Sequence, residues 1–370
     1  MAINTELPIS KVMFDGQEIS LVGSGSSSGG EYLCRVIDYD GKLLKEEWLN
    51  TGDTFTLPSL PTHEGLIAQG YSSPVDIVNN QVTVGNSDLI FGVIYTTTSG
   101  LSEFDIELNE VTGLNVMLQM DGTKDWGDGA SNTETTHTYS NYGKYTIKCD
   151  GTTINSFGLL NQIMDDTINY YYKEIRFGQG ITKISGYSLA YSYSLNAVII
   201  PNSVTSIDGQ SFNDCRSLNA VVIPNSVTNL GNGAFSYCYR LTNVAIPNSI
   251  TSTGGETFRE NTSLINVSIP NGLLTIGSSE FYMCRSLTKI SIPNTVTNIS
   301  AFAFYRCWNM LEYDFSKHSL VPTLANTNAF SGINGQAKII VPDNLYNQWI
   351  VATNWSNYAN YIYKASEVIE

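Results

Sequence analysis

From residue 171 onward the apolar positions of the chain recur every 23 residues. SLNAVIIPNSVTSIDGQSFNDCR begins at 194, SLNAVVIPNSVTNLGNGAFSYCY at 217 and RLTNVAIPNSITSTGGETFRENT at 240. SLINVSIPNGLLTIGSSEFYMCR follows at 263 and SLTKISIPNTVTNISAFAFYRCW at 286, and a degenerate copy, YYKEIRFGQGITKISGYSLAYSY, precedes them at 171. The copies align in apolar columns. Leu195, Leu218, Leu241, Leu264 and Leu287 form one, Val198, Val221, Val244, Val267 and Ile290 a second, and Ile200, Ile223, Ile246, Ile269 and Ile292 a third. No single copy can bury these residues, but stacked neighbours join them into a continuous core. The phrase L-x-x-V-x-I-P reads as a short strand ended by Pro201, Pro224, Pro247, Pro270 and Pro293, where proline stops ladder pairing rather than interrupting it. At roughly 4.8 Å between paired strands, six copies predict a parallel sheet roughly 25 to 30 Å long.

The IPNSVTSI phrase and the A-F-x-x-C ending resemble the BspA-type (Treponema and Bacteroides) leucine-rich repeat over about residues 171–308. That resemblance implies a curved solenoid used for adhesion and recognition. Cys215, Cys238, Cys284 and Cys307 share one repeat position, with Ser192 and Asn261 in it elsewhere. Their spacing has no zinc-type pairing. Adjacent coils would bring thiols near each other, which admits a disulfide, but a small, soft residue filling a tight inward turn is the expected role. The resemblance agrees, since Asn and Cys exchange at the equivalent position of leucine-rich repeats.

Other patterns precede the repeats. NVMLQMDGTKDWGDGASNTETTHTYSNYGKYTIKCD (115–150), with its W-G-D-G turn, H-T-Y and G-x-Y-T-I, resembles the PKD-like β-sandwich. Asp121, Asp125 and Asp128 lack EF-hand spacing and read as turn residues rather than calcium ligands. Residues 31–97, opening EYLCRVIDYDGKLLKEEWLNTGD, carry a hairpin signal at Asp40-Gly41 and close on DLIFGVIYT. They resemble the Listeria–Bacteroides repeat, a β-grasp-like spacer, with Gln69-Gly70-Tyr71 standing for the family's Gly-Trp. GSGSSSGG (23–30) contains G-x-S-x-G but not the strand and helix of a nucleophile elbow, so it reads as a flexible linker. The arm before it resembles the opening of phage tail and minor structural proteins. After the repeats, AKIIVPDNLYNQWIVATNWSNYANYIYKAS predicts a strand over 337–342 and then amphipathic helix with Leu345, Trp349 and Ile350 on one side, a cap for the exposed solenoid end.

The expected fold class is mainly β: a 23-residue leucine-rich-repeat solenoid preceded by two small β modules and followed by a strand-plus-helix cap. The expected domains are an arm and linker (1–30), spacer (31–98), PKD-like sandwich (99–156), solenoid (157–335) and cap (336–370).

Charge narrows the functions. Only 14% of the 370 residues are charged, yet the net charge is −15, which disfavours binding a nucleic-acid backbone. Residues 171–308 carry nine basic and six acidic side chains, so the repeats are net positive while the rest is strongly negative. No run of 18 apolar residues predicts a membrane span. Met1 is followed by no secretory signal pattern. His63, His137 and His318 fall in different modules, with no nucleophile or metal-ligand neighbour at useful spacing. No catalytic residue, cofactor or metal is implied.

The copies vary most around the cysteine column. One row reads Tyr191, Asp214, Tyr237, Glu260, Met283, Arg306 and the next Tyr193, Arg216, Tyr239, Thr262, Arg285, Trp308. Tyr, Trp and Arg dominate binding hot spots. The expected binding residues are therefore Tyr191, Tyr193, Arg216, Tyr237, Tyr239, Arg285, Arg306 and Trp308, although rings covering an outer turn would give the same pattern. The alternative surface is the strand face: Arg176, Ile199, Val222, Ala245, Ser268 and Ser291. The expected partner is a cell-surface protein or glycan. The arm and linker, with no secretory signal, point to a phage tail or receptor-binding component located in the virion, its arm held by another virion structural protein. A bacterial cell-surface adhesin is the alternative.

Overall fold

The computed structural model describes residues 11–14, 17–20, 32–38, 42–63, 66–72, 77–84, 89–97, 100–108, 114–141, 143–159, 172–178, 180–219 and 221–368. The linker at 23–30 and the turn at Asp40-Gly41 lie outside them, as does most of the N-terminal arm, of which Lys11–Phe14 and Gln17–Ser20 pair as an antiparallel hairpin.

The repeats wind into a solenoid with two strand-bearing faces. On the first, the L-x-x-V-x-I phrase supplies Ala197–Ile199, Asn243–Ala245, Asn266–Ser268 and Lys289–Ser291. The parallel ladder continues past the sequence repeats through Glu312–Asp314 and Lys338–Val341 to Ile362–Lys364. At 221–222 the backbone ladder lapses, yet Val221 and Ile223 stay buried, so the apolar columns hold register where strand pairing does not. The second face is built by the T-S-I phrase as strands of two residues, Lys183–Ile184, Ser206–Ile207, Asn229–Leu230, Thr275–Ile276, Asn298–Ile299 and Thr323–Leu324. Such strands are too short to leave a periodic signature.

Between the faces runs a stack of phenylalanines. Phe212, Phe235, Phe258, Phe281, Phe304 and Phe330 lie nearly parallel to their neighbours, centroids 5.1 to 6.1 Å apart. Each buried ring adds apolar area and an offset stacking contact. The coil closes through a left-handed turn. Tyr191, Asp214, Tyr237, Glu260, Met283 and Arg306 all have φ between 56° and 64°, as do Tyr187, Gln210, Glu256, Ser279 and Phe302 within a few degrees. Non-glycine residues avoid this region. Here it turns the N–H along the solenoid axis: Tyr237 donates to the Arg259 carbonyl at 2.7 Å and Glu260 to that of Tyr282 at 2.7 Å. The same bond repeats in each coil and offsets the local strain.

Residues 102–159 form a two-sheet sandwich. One sheet orders Thr136–Tyr139, Leu114–Met120 and Thr153–Leu159, and continues directly into the second solenoid face. The other orders Ser131–Asn132, Lys124–Asp125, Gly143–Cys149 and Ser102–Leu108, and continues through Tyr172–Arg176 into the first. Phe104, Val116, Leu118, Trp126, Ile147 and Ile154 thereby belong to one core that runs unbroken to Ile362. The W-G-D-G turn packs tightly: Gly127 has φ +80°, and a side chain there would meet the Thr146 carbonyl at 2.7 Å.

The N-terminal module keeps a separate core of Cys34, Val36, Phe55, Leu57, Val82, Val84, Leu89, Phe91, Val93 and Tyr95. Its sheet orders Leu43–Leu49, Tyr32–Ile37, Leu89–Thr97 and Leu66–Ser72, the inner two parallel. At the other end the cap is the expected strand plus helix, beginning with Lys338–Val341. Only Tyr346–Trp349 is α-helical, flanked by 3-10 turns, and Ile362–Lys364 adds a further strand. Leu345 and Trp349 are buried and Ile350 is partly so. Trp349 and Trp355 meet Phe315 at 5.4 and 5.6 Å, so two indoles close the core.

Candidate functional site

The cysteines come first, because they adjoin the variable rows. All six in the chain are buried. In the ladder each thiol donates to a carbonyl of the coil before it: Cys215 to Leu189 (3.3 Å), Cys238 to Phe212 (3.3 Å), Cys284 to Phe258 (3.1 Å) and Cys307 to Phe281 (3.0 Å). In the copy lacking cysteine, Asn261 Oδ1 accepts the Cys238 N–H at 2.9 Å. Burial pushes the Cys307 thiol up to about 12 and the other ladder thiols upward as well. A nucleophilic or metal-binding thiol requires the opposite shift.

The aspartates of the sandwich are engaged in turns. Asp121 accepts from the Thr152 N–H and hydroxyl, both at 2.9 Å. Asp125 accepts from Gly127 N–H at 3.0 Å and Asp128 from Ala130 N–H at 3.1 Å. Asp128 also lies 2.7 Å from His137 Nε2. Burial opposes its ionisation, but the bond from the imidazole prevails and holds the carboxyl low. His137 stacks on Trp126 at 5.1 Å. His63 meets Asp38 at 2.8 Å, and His318 is buried between the carbonyls of Phe315 and Val296. Among the described residues no three His, Cys, Asp or Glu side chains gather as a metal site, and no helix is long and apolar enough to cross a membrane.

The outer rows are held together by rings and guanidinium groups. Tyr191 meets Tyr193 edge to face at 6.4 Å, and Arg216 lies 4.5 Å above Tyr193. Tyr237 meets Tyr239 edge to face at 6.2 Å. Arg285 and Arg306 lie over Trp308 at 4.9 and 5.9 Å. Residues outside the expected rows join these groups. Arg259 lies between Tyr237 (5.9 Å) and Tyr282 (4.4 Å), Tyr282 stacks on Tyr305 (4.8 Å), and Arg306 covers Tyr305 (5.0 Å). A continuous ladder therefore runs from Tyr237 through Arg259, Tyr282, Tyr305 and Arg306 to Trp308 and Arg285. The column holding Arg259, Tyr282 and Tyr305 reads Ala190, Asn213 and Ser236 in the earlier copies. That drift from small to large was a signal in the sequence, masked by the rows beside it.

The strand face is less open than its residues suggest. The module strand Leu89–Thr97 packs against Ala197–Ile199 and Asn243–Ala245. Arg35 Nη1 donates to Asn243 Oδ1 at 3.2 Å, an oxygen that also accepts from Asn266 at 3.0 Å. Ala245 and Ser268 are 8% and 4% exposed, and Arg176 is paired with Glu103 at 3.2 Å. Ser291 remains partly exposed.

Residues 182–311 and 251–348 match the family model of the BspA type leucine rich repeat region, in six copies. Over these residues the solenoid is similar to BspA type leucine rich repeat regions. A leucine rich cell surface protein from Faecalibacterium prausnitzii is 21% identical, over 49% of this chain and 60% of its own, with a TM-score of 0.29. The T. pallidum leucine rich repeat protein is 22% identical, over 48% of this chain and 87% of its own, with a TM-score of 0.33. The pneumococcal vaccine antigen PcpA is 12% identical, over 53% of this chain and 73% of its own, with a TM-score of 0.33. The chain thus spans less than two thirds of the first of these structures. No curated protein matches the chain. The BspA-type match ends inside the cap and leaves the sandwich and the N-terminal module unmatched.

Proposed function

We propose that this chain is a non-enzymatic recognition protein, an adhesin of BspA type displayed at a bacterial cell surface. It contacts a cell-surface protein or glycan through the outer rows of its solenoid, including Tyr237, Tyr239, Arg285, Arg306 and Trp308. The observation that carries this reading is the unbroken aromatic–arginine ladder from Tyr237 to Trp308, set on a turn whose backbone is fixed by bonds to the next coil. Aromatic rings offer large contact area at little rotamer entropy, and guanidinium groups add directional donors. The partly covered strand face leaves these rows as the more accessible surface. In this reading the PKD-like sandwich seals the solenoid and the spacer supports it. The virion-tail alternative rests on the arm and linker, which lie mostly outside the described residues, whereas the BspA-type match supports the adhesin.

The test is attachment of purified protein to bacterial and eukaryotic cells by flow cytometry. Tyr237→Ala with Tyr239→Ala, or Arg306→Ala with Trp308→Ala, is expected to weaken attachment roughly 30-fold or more, the equivalent of one hot spot, with the circular dichroism spectrum unchanged. Ser291→Tyr on the open part of the strand face is expected to leave attachment intact. The opposite pattern would move the site to the strand face.

A further inference from the structure

The two halves of the outer rows differ in charge compensation, and this difference deepens the reading above, on which it rests. In the early coils two guanidinium groups have an acid beside them. Arg216 forks onto Asp214 with Nε–Oδ1 and Nη2–Oδ2 both 3.0 Å, and Arg259 Nη1 lies 3.7 Å from Glu256. In the late coils Arg285 and Arg306 are exposed, and neither meets a carboxylate among the described residues. The Arg285 guanidinium lies 3.6 Å from the Met283 sulfur and over the Trp308 ring, and that of Arg306 over the rings of Tyr305 and Trp308. Beyond Glu312, which pairs with Lys289, and Asp314, the chain from Phe315 to Pro342 contains no Asp or Glu, although the protein as a whole carries −15. Trp308 itself is 45% exposed.

We propose that Arg285, Arg306 and Trp308 form an anion clamp for an acidic saccharide, one carrying carboxylate or sulfate groups. Cation–π contact holds both guanidinium planes against one indole, so little side-chain entropy remains to be lost when their N–H edges take up an anion. A forked guanidinium matches the geometry of carboxylate and sulfate oxygens. The exposed edge of Trp308 and the Tyr282–Tyr305 stack beside it give the sugar body an apolar surface. Clustering of the uncompensated charge on one edge of an acidic protein favours a short anionic group over a long polyanion, which the remaining surface would repel.

The experiment measures binding of the full chain to a heparin-derived oligosaccharide, bearing sulfate and carboxylate, and to an oligogalacturonate, bearing carboxylate alone. A neutral chitohexaose is the reference, and titration calorimetry at low and high salt is the readout. At least one anionic probe is expected to bind with an affinity that falls as salt rises, and chitohexaose is not. Arg285→Gln with Arg306→Gln should weaken that binding tenfold or more, whereas Lys183→Gln, at a cation outside the rows that pairs with Asp208 at 2.8 Å, should change it less than twofold. Preference for oligogalacturonate would identify a uronate-type carboxylate and preference for heparin a sulfate. The proposal is overturned if neither anionic probe binds, if chitohexaose binds equally, or if the double variant binds like the parent. Failure here with attachment still dependent on Tyr237 and Tyr239 would remove the clamp and leave the adhesin reading, while loss of both dependences would remove both.

Discussion

The two β modules ahead of the repeats are of similar size and strand content, but they relate to the solenoid in opposite ways. Residues 32–97 close a core of their own around Phe55, Phe91 and Tyr95 and reach the solenoid only through surface contacts. Residues 102–159 have no separate core. Their two sheets are hydrogen-bonded to the first strands of the two solenoid faces, and Trp126 shares a core with Trp355 at the far end of the chain. A solenoid needs its apolar ends covered. The sandwich covers one end and the cap the other, whereas the N-terminal module covers none of the core.

The largest effect that can break this comparison is truncation. Removing residues 1–98 takes away a self-contained unit and is expected to leave a soluble protein with its main thermal transition shifted by no more than a few degrees. Removing 1–156 strips Phe104, Val116, Leu118, Trp126 and Ile147 from the core and bares the edges at Tyr172–Arg176 and Lys183–Ile184. Exposed strand edges and apolar patches drive aggregation, so this protein is expected to be insoluble. Comparable solubility of the two truncations would mean that the sandwich is independent after all.

The contrast also marks what the sequence could reveal. The period, the apolar columns and the buried cysteine position were legible because each is repeated and the copies corroborate one another. The union of the sandwich with the solenoid was not, since it depends on which strand edges meet across a change of pattern at about residue 160. The left-handed turns were invisible for a different reason: tyrosine, glutamate, methionine and arginine occupy them, none of which signals positive φ. Of the site, the paired rings at 191/193 and 237/239 and the Arg–Trp group at 285, 306 and 308 were legible. Arg259, Tyr282 and Tyr305, which link Tyr237 to Arg306, vary in a column whose early members are small.

Within the shared core a smaller effect is expected from Glu280. It occupies a column that holds Ala234, Thr257 and Ala303 in other copies, and it is 1% exposed. Its Oε2 accepts from the hydroxyl of Thr253 at 2.8 Å, and Thr253 itself stands in a column of Ile and Leu. Oε1 has no partner. Burial raises the carboxyl to about 7, against bonds from Thr253 and Thr257 that favour ionisation. Because the folded pKa lies above the unfolded one, the folded state binds the proton more tightly. Stability contributed by the protonated form is complete below about pH 4.5, declines as pH rises to about 7 and is lost above it. Relative to the parent, Glu280→Ala is expected to gain about 3 kcal/mol between pH 4.5 and pH 8, as denaturant melts at the two pH values would show. No pH dependence in that difference would place an ordinary, solvated carboxylate at 280. In the separately cored N-terminal module the same substitution has no counterpart, so truncation of 1–98 should leave this pH response intact.

The smallest expected effect is no change, and it tests how the shared core is held together. The four ladder thiols sit 3.0 to 3.3 Å from carbonyls of the preceding coil, so each is already engaged as a donor along the solenoid axis. Cys34 and Cys149 are buried one in each of the two contrasted modules. Burial raises the ladder thiols and Cys149, which keeps them protonated at neutral pH, and the thiol is the unreactive form. The folded protein should therefore resist a thiol reagent, and all six cysteines should titrate after denaturation. Reductant should leave the melting temperature unchanged. A fall of several degrees on reduction would show that a disulfide stabilises the stack, since closing a loop of about 20 residues is worth roughly 3 kcal/mol. Early labelling confined to Cys34 would instead show the N-terminal module opening on its own, as its separate core predicts, while early labelling of Cys149 together with the ladder would mean that the sandwich and the solenoid open as one unit.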